Sequence, residues 1–296
     1  MITEKLSRRS FLQTTGTAAI AAAASNCGNG ADNVYGDFRF GVMSFVLGAQ
    51  SGPQAVATVQ AAGLKYIELM PYHSTMLGGG KRDKSIADYH VNSAKWAEME
   101  SAFQEHAVTC NGYGAFGFSS DSAENRRVFE WAKKAGIDLF FTASPPEILK
   151  TLDPLVEEFD IAVGIHNHGP EARYSTIDQV AEAMQGRHRL IGACIDVGHY
   201  VRSGEDPAKA VEVFGDRLYG CHLKDYVHTY DYAGPDWRKN RVDIGEGIVD
   251  TPAILKALQK IGYQRIVSLE VVQDTSQPLA CLQQSLANLQ QMIINL

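Results

Sequence analysis

Several features that mark common functional classes are scarce in this 296-residue sequence. It has five cysteines and no Cys-x-x-Cys pair, which excludes a zinc-ribbon or thioredoxin-like site. Its 27 basic and 34 acidic residues give a formal net charge of −7 without a long basic run, so a nucleic-acid backbone is not its expected partner. A membrane-spanning helix needs about 20 consecutive apolar residues, and no apolar run in the sequence is that long.

A glycine-rich phosphate turn is also missing after the first apolar run, where Gly41-Val-Met-Ser-Phe-Val-Leu-Gly48 lacks the required spacing. This absence disfavours a doubly wound α/β sheet. From Arg39 onward, short apolar runs alternate with longer amphipathic ones through eight rounds, as in a parallel sheet wrapped by helices. The sequence therefore predicts a single (β/α)8 TIM barrel over residues 37–296, with strands at 40–47, 66–70, 109–115, 139–143, 161–168, 191–197, 218–224 and 266–272.

Residues 1–36 are interpreted as an export signal and linker. Ser7-Arg-Arg-Ser-Phe-Leu12 resembles a twin-arginine signal, and a mild apolar stretch from Thr14 to Ala24 follows it. The alternative is a short, basic, alanine-rich helix. Small residues before Cys27 are typical of a lipoprotein cleavage site, although Asn26 departs from it, so membrane attachment by lipid at Cys27 is a second hypothesis. The expected location is the periplasm or exported cell envelope.

Polar residues end five of the predicted strands, and in a TIM barrel the active site lies at these carboxyl ends. Side chains alternate along a strand, so polar residues spaced by two share a face with the small residues before them. Those small residues are Gly164, Cys194, Gly220 and Ser268, whereas the intervening Ile165, Ile195, Leu223 and Leu269 are large. This pattern predicts that the polar set, with His166, Asp196, His222 and Glu270, points into the barrel.

Buried imidazoles and carboxylates are costly unless they are paired or bind an ion. Each residue alone is explained as well by capping a helix or closing a loop. Four on one face favour a divalent metal site instead. Mixed nitrogen and carboxylate ligands suit Mn²⁺, Zn²⁺, Co²⁺ or Fe²⁺ better than Ca²⁺ or Mg²⁺.

The same residues resemble the sugar phosphate isomerase/epimerase superfamily of xylose isomerase-like barrels over residues 38–295. The matching pieces are Tyr66-Ile-Glu-Leu69, His166-Asn-His168, Ile195-Asp-Val-Gly-His199, His222-Leu-Lys-Asp225, Gly245-Glu-Gly247 and Ser268-Leu-Glu270. The resemblance implies that Asp196, His222 and Glu270 hold a divalent ion. Many members read Glu-Asn-His at the fifth strand, so His166 stands where the family places its first metal-binding glutamate and is expected to be the fourth ligand.

The resemblance also implies a metal-dependent isomerase or epimerase. We expect an unphosphorylated ketose or keto-sugar to react through an enediolate, with Glu270 as the base. His166, His168 or Lys224 would handle the return proton or the leaving group. The expected substrate-binding residues are Glu68, His168, His199 and Trp237, the last in an aromatic connection between Tyr226 and Gly247.

Two other functions remain open at this point. Because an imidazole replaces one carboxylate base, the main alternative is a lyase or hydrolase that acts on a 3-keto-glycoside. The other is a sugar-binding lipoprotein without catalysis. A nuclease is disfavoured by the acidic net charge. The sequence leaves a homo-oligomer open.

Overall fold

The structure is a computed structural model that describes residues 35–227, 240–270 and 273–296. The predicted export signal, including Cys27, lies outside these residues, and so does Trp237. The expectations for export, lipidation and substrate stacking on Trp237 therefore stay predictions. Among the described residues, no helix combines the length and the apolarity needed to cross a membrane.

The described residues confirm the predicted barrel. Its eight strands are β1 Arg39–Met43, β2 Tyr66–Leu69, β5 Thr109–Gly114, β6 Leu139–Thr142, β7 Ala162–His166, β8 Ile191–Asp196, β9 Leu218–Leu223 and β10 Ile266–Leu269. These parallel strands form a closed barrel in the order β1, β10, β9, β8, β7, β6, β5, β2. A separate antiparallel hairpin joins β3 Met76–Gly78 to β4 Lys81–Arg82.

Helices surround the barrel. They are α1 Gly52–Ala61, α2 Ser93–His106, α3 Ser122–Ala135, α4 Pro146–Phe159, α5 Ile177–Met184, α6 Val197–Arg202, α7 Pro207–Phe214, α8 Thr251–Lys260 and α9 Pro278–Ile294. In α4, Leu149, Leu152 and Val156 are buried at helical spacing against the sheet. Helix α3 begins where Asp121 accepts the Ala123 N–H and ends at Gly136 with φ 73°.

Several local features differ from the sequence prediction. The strands predicted at 161–168 and 266–272 end at His166 and Leu269, and the short helix α6 was not predicted. Two further differences lie near β1 and β2. The first strand ends at Met43, and the predicted continuation to Leu47 is a short 3-10 turn. The hairpin β3–β4 lies inside a connection that was expected to have no strands. Both differences concern the carboxyl ends of strands β1 and β2, where irregular segments form the rim of the barrel.

The barrel interior shows the predicted alternation of small and large residues. Cys194 is fully buried and packs with Met43 and Phe141 in a small interior cluster. Ile165 and Ile195 belong instead to the main core between sheet and helices. Small residues below the strand ends therefore leave room for the polar side chains above them.

Asp225 anchors the chain that returns to the barrel after the long connection. Its Oδ1 accepts the N–H groups of Tyr226 and Val249 at 2.9 and 3.0 Å. Its Oδ2 accepts those of Gly245 and Gly247 at 2.9 and 3.0 Å. A carboxylate with four backbone donors has no free lone pair to offer a metal or a substrate. Asp225 therefore has a structural role that links two of the motifs.

Close packing around Cys194 generates a stability prediction. A Cβ added at Gly220 would lie 2.5 Å from the Cys194 Sγ, whereas one added at Gly164 would lie 2.7 Å from the Cys194 Cβ. Each alanine substitution should lower the free energy of unfolding by about 1–3 kcal/mol through overpacking. Urea denaturation of Gly220→Ala and Gly164→Ala measures both losses.

The Cys194→Ala background separates the two contacts. Cys194→Ala removes the Sγ, so it should recover most of the free energy of unfolding that Gly220→Ala loses. It keeps the Cβ of residue 194, so it should not recover the free energy that Gly164→Ala loses. Equal rescue of both, or rescue of neither, would contradict this packing arrangement.

Candidate metal centre

The structure brings together the four residues expected to bind a metal. His166 and Asp196 end β7 and β8, His222 lies near the end of β9, and Glu270 directly follows β10. All four side chains are buried, and each offers one ligand atom within 4.8 Å of the others. Four neighbouring strands thus contribute one ligand each at the same end of the barrel.

The spacing of these atoms fits one ion. His166 Nε2 lies 3.1 Å from His222 Nδ1, and His222 Nδ1 lies 2.8 Å from Glu270 Oε2. His166 Nε2 is 3.9 Å from Glu270 Oε2 and 4.0 Å from Asp196 Oδ2. Bonds of roughly 2.1 Å in a tetrahedral site separate ligand atoms by roughly 3.4 Å. The observed distances bracket this value.

The charge of the site also fits a divalent ion. Glu68, Asp196 and Glu270 are buried carboxylates, and Lys224 lies among them, in contact with Asp196 Oδ2 and 3.1 Å from Glu270 Oε1. Three carboxylates and one ammonium leave a formal charge of −2 when the imidazoles are neutral, as ligation requires. A divalent cation would neutralise that charge.

The pKa shifts of Lys224 and Glu270 both favour the charged form of each side chain. Burial alone lowers the pKa of Lys224, but Asp196 and Glu270 raise it above its usual range. Burial raises the pKa of Glu270, yet Lys224 and the two imidazoles hold it well below its usual range. The site therefore keeps Glu270 and Lys224 charged.

Glu68 lies against His222, on the side of the ring that faces away from Glu270. It is fully buried, and its Oε2 is 2.7 Å from His222 Nε2, while Nδ1 of the same ring faces Glu270. A carboxylate in this position orients a ligating imidazole. The sequence predicts that Glu68 orients a substrate hydroxyl, but this contact favours a role through His222. Alternation along β2 gives the face on which Glu68 lies, but not its contact with β9 across the barrel.

Asn167 holds Asp196 in place, a function that the sequence analysis missed. Asn167 Nδ2 donates to the Asp196 carbonyl at 3.0 Å, and Asn167 Oδ1 accepts the Asp196 N–H at 2.7 Å. Asp196 Oδ1 accepts the His199 N–H at 3.0 Å and so caps α6. Oδ2 is left to face Lys224 and the ligands. The sequence offers one indication of this role: Asn167 stands between His166 and His168, which both belong to the site.

His168 and His199 form the wall next to the ligands. Their rings stack at 5.2 Å, and His168 lies 4.9 Å from the His166 ring. Arg202 Nη1 lies 3.1 Å from His199 Nδ1 and fixes that ring. Burial, reinforced by His166, lowers the pKa of His168 to about 4, so its imidazole is neutral at neutral pH. His168 remains partly exposed, as a substrate-facing residue requires.

Comparisons with known proteins agree with this fold. The profile of the family described as xylose isomerase-like TIM barrel matches residues 56–292. Inosose isomerase from Bacillus subtilis (strain 168) is 26% identical over 151 residues, which cover 50% of this chain and 50% of that protein. The chain thus matches about half the length of this curated relative.

Solved structures show the same barrel. The probable 3-DHS dehydratase AsbF from Bacillus anthracis has a TM-score of 0.67 at 16% identity, covering 85% of this chain and 99% of that one. The IOLI protein, with a bound zinc atom, has a TM-score of 0.63 at 15% identity, covering 87% and 97%. At these identities the likeness establishes the fold.

The contact between Glu68 and His222 predicts a loss of metal affinity. Glu68→Gln keeps the side-chain volume but removes the charge that orients the imidazole, so zinc affinity should fall roughly 10- to 100-fold. Competition with a chromophoric chelator measures it. Glu105→Gln, on the exposed side of α2, is the matched control and should leave affinity unchanged. Unchanged zinc affinity in Glu68→Gln would show that Glu68 does not support the site.

Proposed function

The chain belongs to the xylose isomerase-like TIM barrel family, and on this premise we propose that it is a divalent-metal-dependent isomerase or epimerase. Its substrate is an unphosphorylated ketose or keto-sugar that reacts through an enediolate. The observation that carries the proposal is the convergence of His166, Asp196, His222 and Glu270 with Lys224 at the strand ends. The relative named inosose isomerase supports the reaction class.

The four ligands would hold a divalent ion, which when bound acts as a Lewis acid on the substrate carbonyl. Two imidazoles and two carboxylates favour Zn²⁺, Co²⁺, Fe²⁺ or Mn²⁺ over Mg²⁺ and Ca²⁺. The zinc atom in the IOLI protein is in keeping with this preference.

The remaining residues have distinct roles in the proposed reaction. Glu270 takes the proton from the carbon beside the carbonyl. Lys224, held as a cation between Asp196 and Glu270, donates a hydrogen bond to the oxygen on which negative charge develops. His168 is neutral and partly exposed, so it can accept a proton from a substrate hydroxyl or position that hydroxyl. His199 orients substrate beside it.

His166 favours a second candidate, a lyase or hydrolase on a 3-keto-glycoside. In the family that the chain resembles, two metal-bound glutamates exchange a proton with the substrate carbon from opposite faces. Here His166 Nε2 faces the other ligand atoms, and its Nδ1 is buried without a hydrogen-bond partner among the described residues. With Nε2 directed at the ligands and Nδ1 buried, this imidazole has no accessible nitrogen for a substrate proton. Loss of a leaving group needs no second carboxylate: Glu270 takes the proton beside the carbonyl, and Lys224, 3.1 Å from Glu270, would supply the proton to the departing oxygen.

The predicted export signal leads to a proposal about location. We propose that the chain is exported to the periplasm or cell envelope, with lipid attached at Cys27. An exported enzyme would meet free sugars and glycosides more readily than sugar phosphates. Intact-mass measurement on the membrane fraction tests the lipid attachment.

Deuterium exchange tests the proposed reaction. A panel of ketoses and 3-keto-glycosides is incubated with the zinc-loaded protein in D₂O and analysed by NMR. The sugar that is a substrate should gain deuterium at the carbon beside its carbonyl. An intact carbon skeleton supports the isomerase or epimerase, and release of the aglycone supports the lyase. Glu270→Gln should abolish both signals because it lacks the base. Sugar binding without exchange or release, unaffected by Glu270→Gln, would indicate a binding protein and refute the enzyme.

The two imidazole ligands also predict a measurable metal preference. The wild-type protein, exposed to equal Zn²⁺ and Mn²⁺ at limiting concentration, should retain mainly zinc. His166→Glu should shift the bound fraction toward manganese, because it replaces a nitrogen ligand by a carboxylate. Metal content after gel filtration gives the ratio, with Glu105→Gln as the control. An unchanged ratio in His166→Glu would remove His166 from the ligand set.

A further inference from the structure

A cavity of about 560 Å³ lies between the connection after β2 and the turn after β5. Pro71, Asp88 and His90 line one side, and Phe116, Gly117 and Arg127 line the other. None of the four candidate metal ligands is among its lining residues. Its volume lies in the range of roughly 300–1,000 Å³ that is typical of small-molecule sites.

The cavity opens at the same end of the barrel as the metal centre. Pro71 and Phe116 each follow the carboxyl end of a barrel strand. The Phe116 N–H donates to the Phe141 carbonyl at 2.8 Å, and the Phe141 ring meets the His222 ring edge-on at 5.1 Å. A single residue, Phe141, therefore contacts both the cavity wall and a metal ligand.

Met70, which directly precedes Pro71, links this rim to the barrel interior. It packs against the interior cluster of Met43, Phe141 and Cys194, and the Cys194 Sγ lies 3.5 Å from His222 Nε2. The rim of the cavity and the metal centre therefore contact the same interior cluster.

The lining of the cavity matches a neutral, hydroxylated ring. Phe116 offers an aromatic face, and the His90 ring lies 5.2 Å from it. Asp88 and Glu124 carry negative charge, whereas Arg127 carries positive charge. The two carboxylates disfavour a phosphate, and the charged rim disfavours a wholly apolar ligand. A sugar ring presents both a C–H face for the aromatic ring and hydroxyls for the rim.

The turn that carries Phe116 is held in a fixed conformation. Asn125 is buried, donates to the Ser119 carbonyl at 2.8 Å and accepts the Ser119 N–H at 2.9 Å. Thr142 Oγ1 donates to the Phe116 carbonyl at 2.6 Å. The cavity wall is therefore preorganised, which reduces the entropic cost of binding.

We propose that this cavity binds the unreacted sugar unit of a keto-disaccharide while the keto-sugar ring lies at the metal centre. The inference rests on the proposed function and narrows its substrate class to a glycoside with two sugar rings. It holds whether the reaction leaves the carbon skeleton intact or releases the second unit.

Gly117 offers a way to fill the cavity without disturbing the fold. A Cβ added there has no atom within 4 Å, and the φ of Gly117 is outside the left-handed region. Gly117→Leu should therefore fold normally and occupy part of the cavity. Arg127→Ala removes an exposed rim charge, and Ser120→Leu, exposed next to the cavity but not part of its lining, is the matched control.

The experiment compares a 3-keto-disaccharide with the corresponding methyl 3-keto-glycoside on zinc-loaded protein. Gly117→Leu should raise the KM for the disaccharide relative to that for the methyl glycoside by roughly 10-fold, equivalent to about 1.4 kcal/mol. Arg127→Ala should also raise the KM for the disaccharide relative to the KM for the methyl glycoside. Ser120→Leu should leave it unchanged. Calorimetry with cellobiose and with glucose gives a readout that needs no turnover, and Gly117→Leu should weaken only cellobiose.

The outcomes separate this inference from the proposed function. Turnover of both substrates with an unaltered KM ratio in Gly117→Leu would overturn the cavity assignment and leave the enzyme intact. Absence of turnover of both glycosides, with cellobiose binding weakened in Gly117→Leu, would support the cavity as a sugar site and count against catalysis on glycosides. Cellobiose binding that is equal to glucose binding, or insensitive to Gly117→Leu, would overturn the assignment in either case.

Discussion

The concentration of negative charge at one end of a closed barrel is the constraint on which the rest of the site depends. Glu68, Asp196 and Glu270 are all buried there, and Lys224 compensates for only one of them. Carboxylates in such surroundings need cations or their own protonation. A divalent ion held with two imidazoles satisfies this need, and it explains why His222 has one nitrogen toward Glu270 and the other toward Glu68.

A histidine at position 166, where the resemblance places a glutamate, would have chemical consequences beyond metal preference. In the proposed reaction the ligand set has one negative charge fewer, and Glu270 has no second glutamate as its partner in proton transfer. His166 Nε2 faces the ligands, and its other imidazole nitrogen is buried. Proton transfer thus becomes asymmetric. A reaction that removes a proton and then loses a group is compatible with this asymmetry.

Much of this arrangement could be predicted from the sequence, because alternation along a strand is a strong rule. Small residues such as Gly164 and Gly220 two positions before His166 and His222 predicted the inward face, and the structure has it. The contact of Glu68 with His222 was not predictable, because it joins β2 and β9 across the barrel and these strands are not neighbours. The hydrogen bonds of Asn167 to the Asp196 backbone, and those of Asp225 to the loop after the long connection, join different strands and loops and could not be predicted either. The cavity beside Phe116 is likewise made by two connections distant in sequence.

The most direct test of the metal centre is X-ray absorption spectroscopy of the zinc-loaded protein. The structure predicts nitrogen and oxygen ligands at about 2.0–2.2 Å, including two imidazoles whose outer-ring scattering is visible. His166→Asn should reduce the imidazole count from two to one, with the barrel intact by circular dichroism. A spectrum without imidazole scattering in the wild-type protein, or with two imidazoles remaining in His166→Asn, would contradict the assignment of His166 and His222 as ligands of one ion.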